Sequence, residues 1–335
     1  MSGETWLVGV WAGLIAFAVF AYVVMDGFDL GIGVLFPFLG AHSQRGRAMN
    51  AIAPVWDGNE TWLVLGGGGL FAAFPLAYAI LMPAVYAPLI AMLLGLVFRG
   101  VAFEFRWRTL RGRWAWDVAF SAGSTLAAVS QGMILGAILQ GVKVSGRAYA
   151  GGWWDWLTPF SVLTGLSVAA GYALLGACWL ILKSEGELQD RAWRLAWRCA
   201  AATMAAIAAV SAATPLLKGD YWRRWFAFPN VLATAQVPLL VLIVAVGLFV
   251  SLRRKAELWP FPLALALFAL GYAGLAISLY PYLVPGEVTL WQAAAPTASL
   301  GFMLAGAAVL IPVILAYTSY AYWVFRGKTG AEGYH

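Results

Sequence analysis

Nine long apolar segments run through this 335-residue chain, and they constrain its fold more than any other feature. The chain is 62% hydrophobic and only 11% charged, whereas soluble domains have roughly 25% charged residues. Apolar runs of about 20 residues suit transmembrane helices, since barrel strands would be shorter and would alternate in polarity. The sequence therefore predicts an all-α, polytopic membrane protein, with residues 1–335 in a single integral membrane domain. The predicted segments are about 6–38, 50–75, 77–101, 117–140, 157–182, 195–216, 230–252, 258–280 and 296–324.

The distribution of basic residues predicts how these segments are oriented. An odd number of spans places the two ends of the chain on opposite sides of the membrane. With the N-terminus outside, the inner loops and tail hold 16 of the 21 lysines and arginines. This asymmetry predicts an outside N-terminus and a cytoplasmic C-terminus. No positive region precedes the first apolar run, so we expect that segment to be retained rather than cleaved as a signal.

Carboxyl groups lie inside two of the apolar segments, where they could take up and release protons. Asp26 and Asp29 lie in the first segment, and Asp57 and Glu60 lie in the second. Each pair is spaced by three residues, which brings its members to one side of a helix. A charged group near the bilayer centre costs about 2.5–3.5 kcal/mol on insertion scales, so such groups are usually paired, hydrated or functional. The sequence therefore predicts a polar face that can take up and release protons.

Arg99, near the inner end of the third segment, is the candidate counter-ion for these acids. The alternative is an arginine that extends its head group to the membrane interface. For Asp26 and Asp29, the alternative is a structural pair held by an arginine or by backbone groups. Gly27 and Gly31 have the spacing that lets two helices approach closely. The run Gly66–Gly69 predicts either close packing or a helix break that lines a cavity.

The sequence offers few residues that could hold a cofactor or a metal. Its two histidines are His42, in a predicted inner loop, and His335, at the last position, whereas membrane-embedded haem most often needs histidine ligands inside the bundle. Cys178 and Cys199 do not complete a metal site and are expected to be structural thiols. We therefore predict no cofactor and no metal on this chain, and no nucleic-acid partner, because membrane sidedness explains the basic residues.

Several motifs resemble subunit II of the cytochrome bd-type quinol oxidases. The matches follow one another in order over nearly the whole chain, and the first two are the most specific. They are DGFDLGIG at 26–33, IAPVWDGNE at 52–60, FAAFP at 71–75, FRGVAFE at 98–104, LQG at 139–141, YPYLVP at 280–285 and PVILAYT at 312–318.

The resemblance implies a nine-helix, non-haem subunit of the bacterial inner membrane that acts only as part of an enzyme complex. The haem-bearing subunit I would hold haem b and haem d, or b-type haems only, with quinol as the substrate. The complex would oxidise quinol at the outer face and reduce oxygen to water with cytoplasmic protons, which generates a proton motive force. A small single-helix subunit and membrane lipid are further expected partners. The short connection between helices six and seven suits the cyanide-insensitive branch.

The resemblance also implies roles for individual residues. Asp57 looks like the acid of a proton route toward the haem site, and Glu60 occupies a position where some members have glutamine. Together with Asp26, Asp29 and Arg99, these residues form the predicted proton-conducting face. Two alternatives remain open at this point. The chain could be a stand-alone proton- or cation-coupled transporter that uses the same carboxylates, or an assembly subunit whose acids only hold helices together.

Overall fold

The structure, a computed structural model, describes residues 5–109 and 111–330 and is built mainly of helices. In chain order the helices are α1 (Thr5–Leu35), α2 (His42–Asn50), α3 (Trp56–Ala73), α4 (Pro75–Ala84), α5 (Tyr86–Arg108), α6 (Arg113–Gln140), α7 (Pro159–Lys183), α8 (Glu187–Leu217), α9 (Gly219–Phe226), α10 (Val231–Thr234), α11 (Gln236–Arg253), α12 (Pro260–Leu279), α13 (Leu290–Ala293) and α14 (Thr297–Val324). Two antiparallel hairpins lie in connections, β1 (Val144–Ser145) with β2 (Ala148–Tyr149), and β3 (Tyr282–Val284) with β4 (Val288–Thr289).

Within the described residues, eight helical segments are long and apolar enough to cross a membrane, which confirms the all-α, multi-span fold. The predicted segment at 50–75 differs from the others. Its helix, α3, begins only at Trp56 after turns over residues 51–55. Asp57, Asn59 and Glu60 make the first turns of α3 polar, so this 18-residue helix is not among the eight.

Two other boundaries also differ from the prediction. The segment at 77–101 is divided, because the short helix α4 ends at Ala84 and α5 then extends to Arg108. Helix α8 begins at Glu187, eight residues earlier than expected, because its first two turns are polar and carry no hydropathy signal.

The helices run in alternating directions, so that one end of the bundle collects most of the arginines. Helices α1, α5, α7 and α14 finish at this end, and α3, α6 and α8 start there. Hydrogen bonds fix this arrangement: the Trp11 indole N–H donates to the Leu300 carbonyl near the starts of α1 and α14 (3.0 Å). At the opposite end of the bundle, Arg106 near the end of α5 pairs with Asp117 near the start of α6. We call this end, which the basic residues predict to be cytoplasmic, the arginine-rich end.

Glycines bring four helices of the core into backbone contact, in the pairs α1 with α7 and α5 with α6. A Cβ atom placed on Gly31 of α1 would lie 1.7 Å from the Tyr172 carbonyl oxygen of α7, and one on Gly176 would lie 2.5 Å from the backbone of Gly31. Between α5 and α6, a Cβ on Gly95 would lie 2.6 Å from the Gly123 carbonyl oxygen. The close approach predicted from the spacing of Gly27 and Gly31 is therefore confirmed.

The glycine run at 66–69 does not break α3. A Cβ on Gly66 or Gly69 would meet Val19 or Ile15 of α1 at 3.1 Å, so this side of the run packs against α1. By contrast, a Cβ on Gly67 or Gly68 would meet no atom within 4 Å. Of the two predicted readings, close packing is confirmed on one face of α3, and the opposite face is open.

Candidate functional site

Arg99 lies inside the bundle and pairs with carboxyl groups from two neighbouring helices. Its Nη1 lies 2.7 Å from Asp26 Oδ1, and its Nη2 hydrogen-bonds Glu60 Oε1. Asp26 is 0% exposed, Arg99 is 1% exposed and Glu60 is 27% exposed. The Arg99 guanidinium also lies over the Trp56 ring, 5.9 Å from its centroid. Arg99 therefore connects α1, α3 and α5 and does not extend to the membrane interface.

Asp29 lies one turn from Asp26 and belongs to a second group of hydrogen bonds. The Asn59 amide donates to Asp29 Oδ2 (2.7 Å), and the Tyr322 hydroxyl donates to Asn59 Oδ1 (2.9 Å). Asp29 is fully buried, and its Oδ1 has no hydrogen-bond partner among the described residues. Asp29 is also near enough to Arg99 to interact with it electrostatically. The two groups of contacts therefore form one buried polar cluster.

A third set of contacts extends this cluster toward α6 and α7. The Tyr22 hydroxyl interacts with the Asp26 carboxylate and accepts a hydrogen bond from the Gln131 amide (2.7 Å). Gln131 Oε1 in turn accepts from the Tyr172 hydroxyl (2.7 Å). These residues are uncharged polar groups in apolar segments, and nothing in the sequence pattern separates them from ordinary core residues. Their position becomes apparent only from the packing of α1 against α6 and α7.

Asp57 lies apart from the cluster, on the exposed surface of α3. Its carboxylate makes no hydrogen bond or ion pair with another residue in the part of the chain that the structure describes. Gly58 and Thr61 are exposed on the same surface, and Glu60 lies between this surface and Arg99. Of the five predicted site residues, the structure therefore brings four together, and it places Asp57 where it can meet another molecule.

A separate ionic cluster at the arginine-rich end was missed by the sequence reasoning. Asp117 of α6 is nearly buried and accepts from Arg106 Nε (2.6 Å) and Arg45 Nη1 (3.0 Å). His42 Nδ1 lies 3.3 Å from the same carboxylate. An aspartate at the very start of an apolar segment, close to several arginines, is the sequence feature that indicates such a site. The cluster fastens α2 to the ends of α5 and α6.

Neither a metal ion nor a haem finds a suitable set of ligands among the residues that the structure describes. No group of three histidine, cysteine, aspartate or glutamate side chains in residues 5–109 and 111–330 could hold a metal ion. His42 is 63% exposed and faces Asp117, so it does not fit an axial haem ligand inside the bundle. Cys178 is buried and Cys199 half-buried, and both are free thiols.

Comparison with known proteins gives the family. The family model of cytochrome bd terminal oxidase subunit II matches residues 7–325. The chain belongs to this family. It is 30% identical to cytochrome bd-I ubiquinol oxidase subunit 2 of Escherichia coli (strain K12), over 96% of this chain and 95% of that protein. It is also 30% identical to cytochrome bd ubiquinol oxidase subunit 2 of Bacillus subtilis (strain 168), over 95% of this chain and 96% of that one.

The fold agrees with this assignment. A chain in the structure of bd oxidase from Geobacillus thermodenitrificans superposes with a TM-score of 0.74, covering 95% of this chain and 98% of that chain at 18% identity. The resemblance read from the sequence motifs is thereby confirmed. As a member of the cytochrome bd subunit II family, the chain is a multi-pass protein of the bacterial inner membrane and a subunit of an oxidoreductase complex. These findings support the oxidase subunit and give no support to the transporter alternative.

Proposed function

We propose that this chain supplies the haem-bearing subunit of the oxidase with protons from the cytoplasm. The observation that carries the proposal is the buried cluster in which one guanidinium, Arg99, faces three carboxyl groups. Two of them, Asp26 and Asp29, are fully buried, and the third, Glu60, is half-buried. Full ionisation would leave two negative charges unbalanced in an apolar bundle, which is costly. Such a charge balance favours a site that binds and releases a proton.

The position of Asp57 indicates where the proton route leaves this chain. Asp57 lies one helical turn from Glu60, on the exposed surface of α3. Side chains three residues apart on a helix have Cβ atoms about 5–6 Å apart. A carboxylate exposed to lipid would be costly at this depth, so we expect another protein surface to cover it. A Cβ on Gly68, which lies within about 20° of Asp57 around the helix axis, would meet no atom within 4 Å, so this side of α3 would allow a helix of the partner to approach closely.

The remaining parts of the complex are proposed on the same basis. The haems, b and d or b-type only, belong to subunit I, because His42 does not fit an axial ligand and the chain has no other described histidine. Quinol is the substrate and oxygen the acceptor, as the names of the curated relatives suggest for those proteins. The arginine-rich end faces the cytoplasm, since it holds most of the basic residues. A small single-helix subunit and bound lipid complete the proposed assembly.

Substitution of the acids in the purified complex tests this function. We expect Asp57→Asn and Asp26→Asn to lower quinol-driven oxygen consumption severalfold, while the haem absorption spectrum and the subunit ratio stay unchanged. The matched control is Asp220→Asn, an exposed aspartate of α9 remote from the cluster. Unchanged turnover in fully assembled Asp26→Asn and Asp57→Asn complexes would contradict the proton role. Loss of the complex, with normal turnover in the fraction that assembles, would favour a purely structural role for the acids.

A further inference from the structure

A cavity opens at the arginine-rich end of the bundle, next to the buried cluster. Its volume is about 320 Å³. The end of α7, the end of α14 and the turns at residues 51–55 form its walls. Gly327 and Lys328 at its rim are exposed, whereas Trp179 and Val55 in its walls are nearly buried. At roughly 30 Å³ per molecule, a cavity of this size has room for about ten waters.

Tyr322 connects this cavity to the buried acids. Its side chain lines the cavity, and its hydroxyl donates to Asn59 Oδ1 (2.9 Å), while the Asn59 amide donates to Asp29 Oδ2 (2.7 Å). The Tyr322 ring packs edge-on against Trp179, with centroids 6.2 Å apart. The Trp179 indole N–H is itself fixed by the Ala51 carbonyl (3.0 Å). Only two hydrogen bonds therefore separate the cavity from a fully buried carboxyl group.

The lysines around the cavity are engaged by the protein, so the cavity is not suited to an anion. Lys183 Nζ donates to the carbonyls of Phe325 (2.5 Å) and Gly327 (3.2 Å). Its charge thus faces the C-terminal ends of α7 and α14, where backbone carbonyls carry partial negative charge. Lys328 Nζ donates to Glu257 Oε2 (2.7 Å), and this bond holds the pKa of the Glu257 carboxyl below its usual range. The chain segment after α14 is thereby fastened along the rim.

We propose that this cavity is the cytoplasmic mouth of the proton route and that Tyr322 is the positioning residue at its floor. Water in the cavity delivers one proton to Asp29 Oδ1, the oxygen that has no hydrogen-bond partner among the described residues, and Asp29 later releases it toward Glu60 and Asp57. The proton comes from a hydronium ion among these waters: one of its O–H bonds breaks and leaves water as the O–H bond forms on Asp29, and no electron moves. Tyr322 and Asn59 hold the carboxyl in place for the transfer. This inference rests on the proposed function, since it names the uptake site of the same route.

The first test compares Tyr322→Phe with Tyr320→Phe in the assembled oxidase. Tyr320 lies on the same helix, is 62% exposed and serves as the matched control. Removing the Tyr322 hydroxyl should lower turnover roughly threefold to tenfold, the range for the loss of one hydrogen bond. The solvent deuterium isotope effect on turnover should rise and the KM for quinol should stay constant, which a general loosening of the fold would not produce. Tyr320→Phe should match the parent complex in both quantities.

Asp29→Asn, measured alongside, separates the failure of this inference from the failure of the proposed function. If Asp29→Asn is slow and Tyr322→Phe matches the parent in turnover and isotope effect, the cavity is not the mouth, although the route through the acids stands. If Asp29→Asn, Asp26→Asn and Asp57→Asn all match the parent, the proposed function fails and this inference fails with it.

A second measurement tests hydration of the cavity without relying on Tyr322. A cysteine replaces Val55 in the cavity wall, in a background with alanine at Cys178 and Cys199, and the complex is treated with a charged, membrane-impermeant methanethiosulfonate. We expect the Val55→Cys complex to react in inverted membrane vesicles, but not in right-side-out vesicles, and to lose turnover on reaction. Leu242→Cys, on the apolar outer face of α11, is the control and should not react from either side. Absence of reaction at residue 55 from the inner side would overturn the inference.

Discussion

Replacing Arg99 with methionine should destabilise the bundle strongly, because it leaves Asp26 buried without its cation. At the 2.7 Å separation of Arg99 Nη1 and Asp26 Oδ1, an effective dielectric constant of 20 gives an attraction of about 6 kcal/mol. Desolvation of both groups offsets part of this value. Removing one partner of a buried ion pair typically costs about 3–5 kcal/mol. We therefore expect the free energy of unfolding to fall by about this amount in Arg99→Met.

The double variant Arg99→Met with Asp26→Asn should recover part of the loss. Because it no longer leaves a charged carboxylate in the apolar core, we expect it to be about 1–3 kcal/mol more stable than Arg99→Met alone, as coupled neighbours behave. Glu60 is 27% exposed and can be hydrated, so its loss of Arg99 should contribute less. Arg108→Met is the control, since this exposed arginine lies on the same helix, and its effect should stay within about 0.5 kcal/mol.

Reversible unfolding of the purified complex in mixed detergent and dodecyl sulfate micelles, followed by tryptophan fluorescence, provides the assay. If Arg99→Met is as stable as Arg108→Met, the ion pair is not a significant stabilising contact. If the double variant is no more stable than Arg99→Met, Asp26 is not the group that Arg99 stabilises. Either result would refute the charge balance from which the proton route is argued.

Three further predictions concern packing and the arginine-rich end. Gly31→Ala should cost about 1–3 kcal/mol or more of unfolding free energy through steric overlap with α7, whereas Gly13→Ala, where a Cβ meets no atom within 4 Å, should be neutral or gain about 0.5–1 kcal/mol in the same assay. Asp117→Asn should cost about 3 kcal/mol, because Arg106 would stay buried without its carboxylate; unchanged thermal unfolding would contradict this role. The lowered pKa of Glu257 stabilises the segment after α14 above the ordinary carboxyl pKa of about 4.3, and this stabilisation is lost as the pH falls through the lowered pKa. The Thr329 amide in this segment donates to the Lys183 carbonyl (2.8 Å). Its hydrogen exchange, corrected for the intrinsic rate, should therefore rise at acidic pH, and this pH dependence should be absent in Glu257→Gln.

The sequence predicted the membrane-spanning segments well because hydropathy is a local property. It failed at the start of the second segment, which it placed at about residue 50, whereas α3 begins at Trp56 after turns at 51–55 that separate it from α2. The break between α4 and α5 was also missed, since both sides of it are equally apolar. In each case the helix boundary depends on packing rather than on the balance of polar and apolar residues.

The acids illustrate the same distinction at the site. Residues three positions apart on a helix differ by about 60° in direction. That difference is enough to turn Glu60 toward Arg99 while Asp57 lies on the surface, so the spacing alone could not assign their separate environments. The contact of Tyr322 with Asn59 joins residues 263 positions apart, and no local pattern predicts it. The Asp117 cluster likewise depends on how α2 folds back against α5 and α6.

Time-resolved proton uptake tests the central claim most directly. The fully reduced oxidase complex would be mixed with oxygen in weakly buffered solution, with a pH-indicating dye reporting proton uptake and haem absorbance reporting oxygen reduction. In Asp29→Asn and Asp57→Asn complexes, we expect normal haem spectra and normal oxygen binding, followed by proton uptake slowed severalfold relative to the parent and to Asp220→Asn. Proton uptake at the parental rate in both variants would contradict a proton route through this subunit.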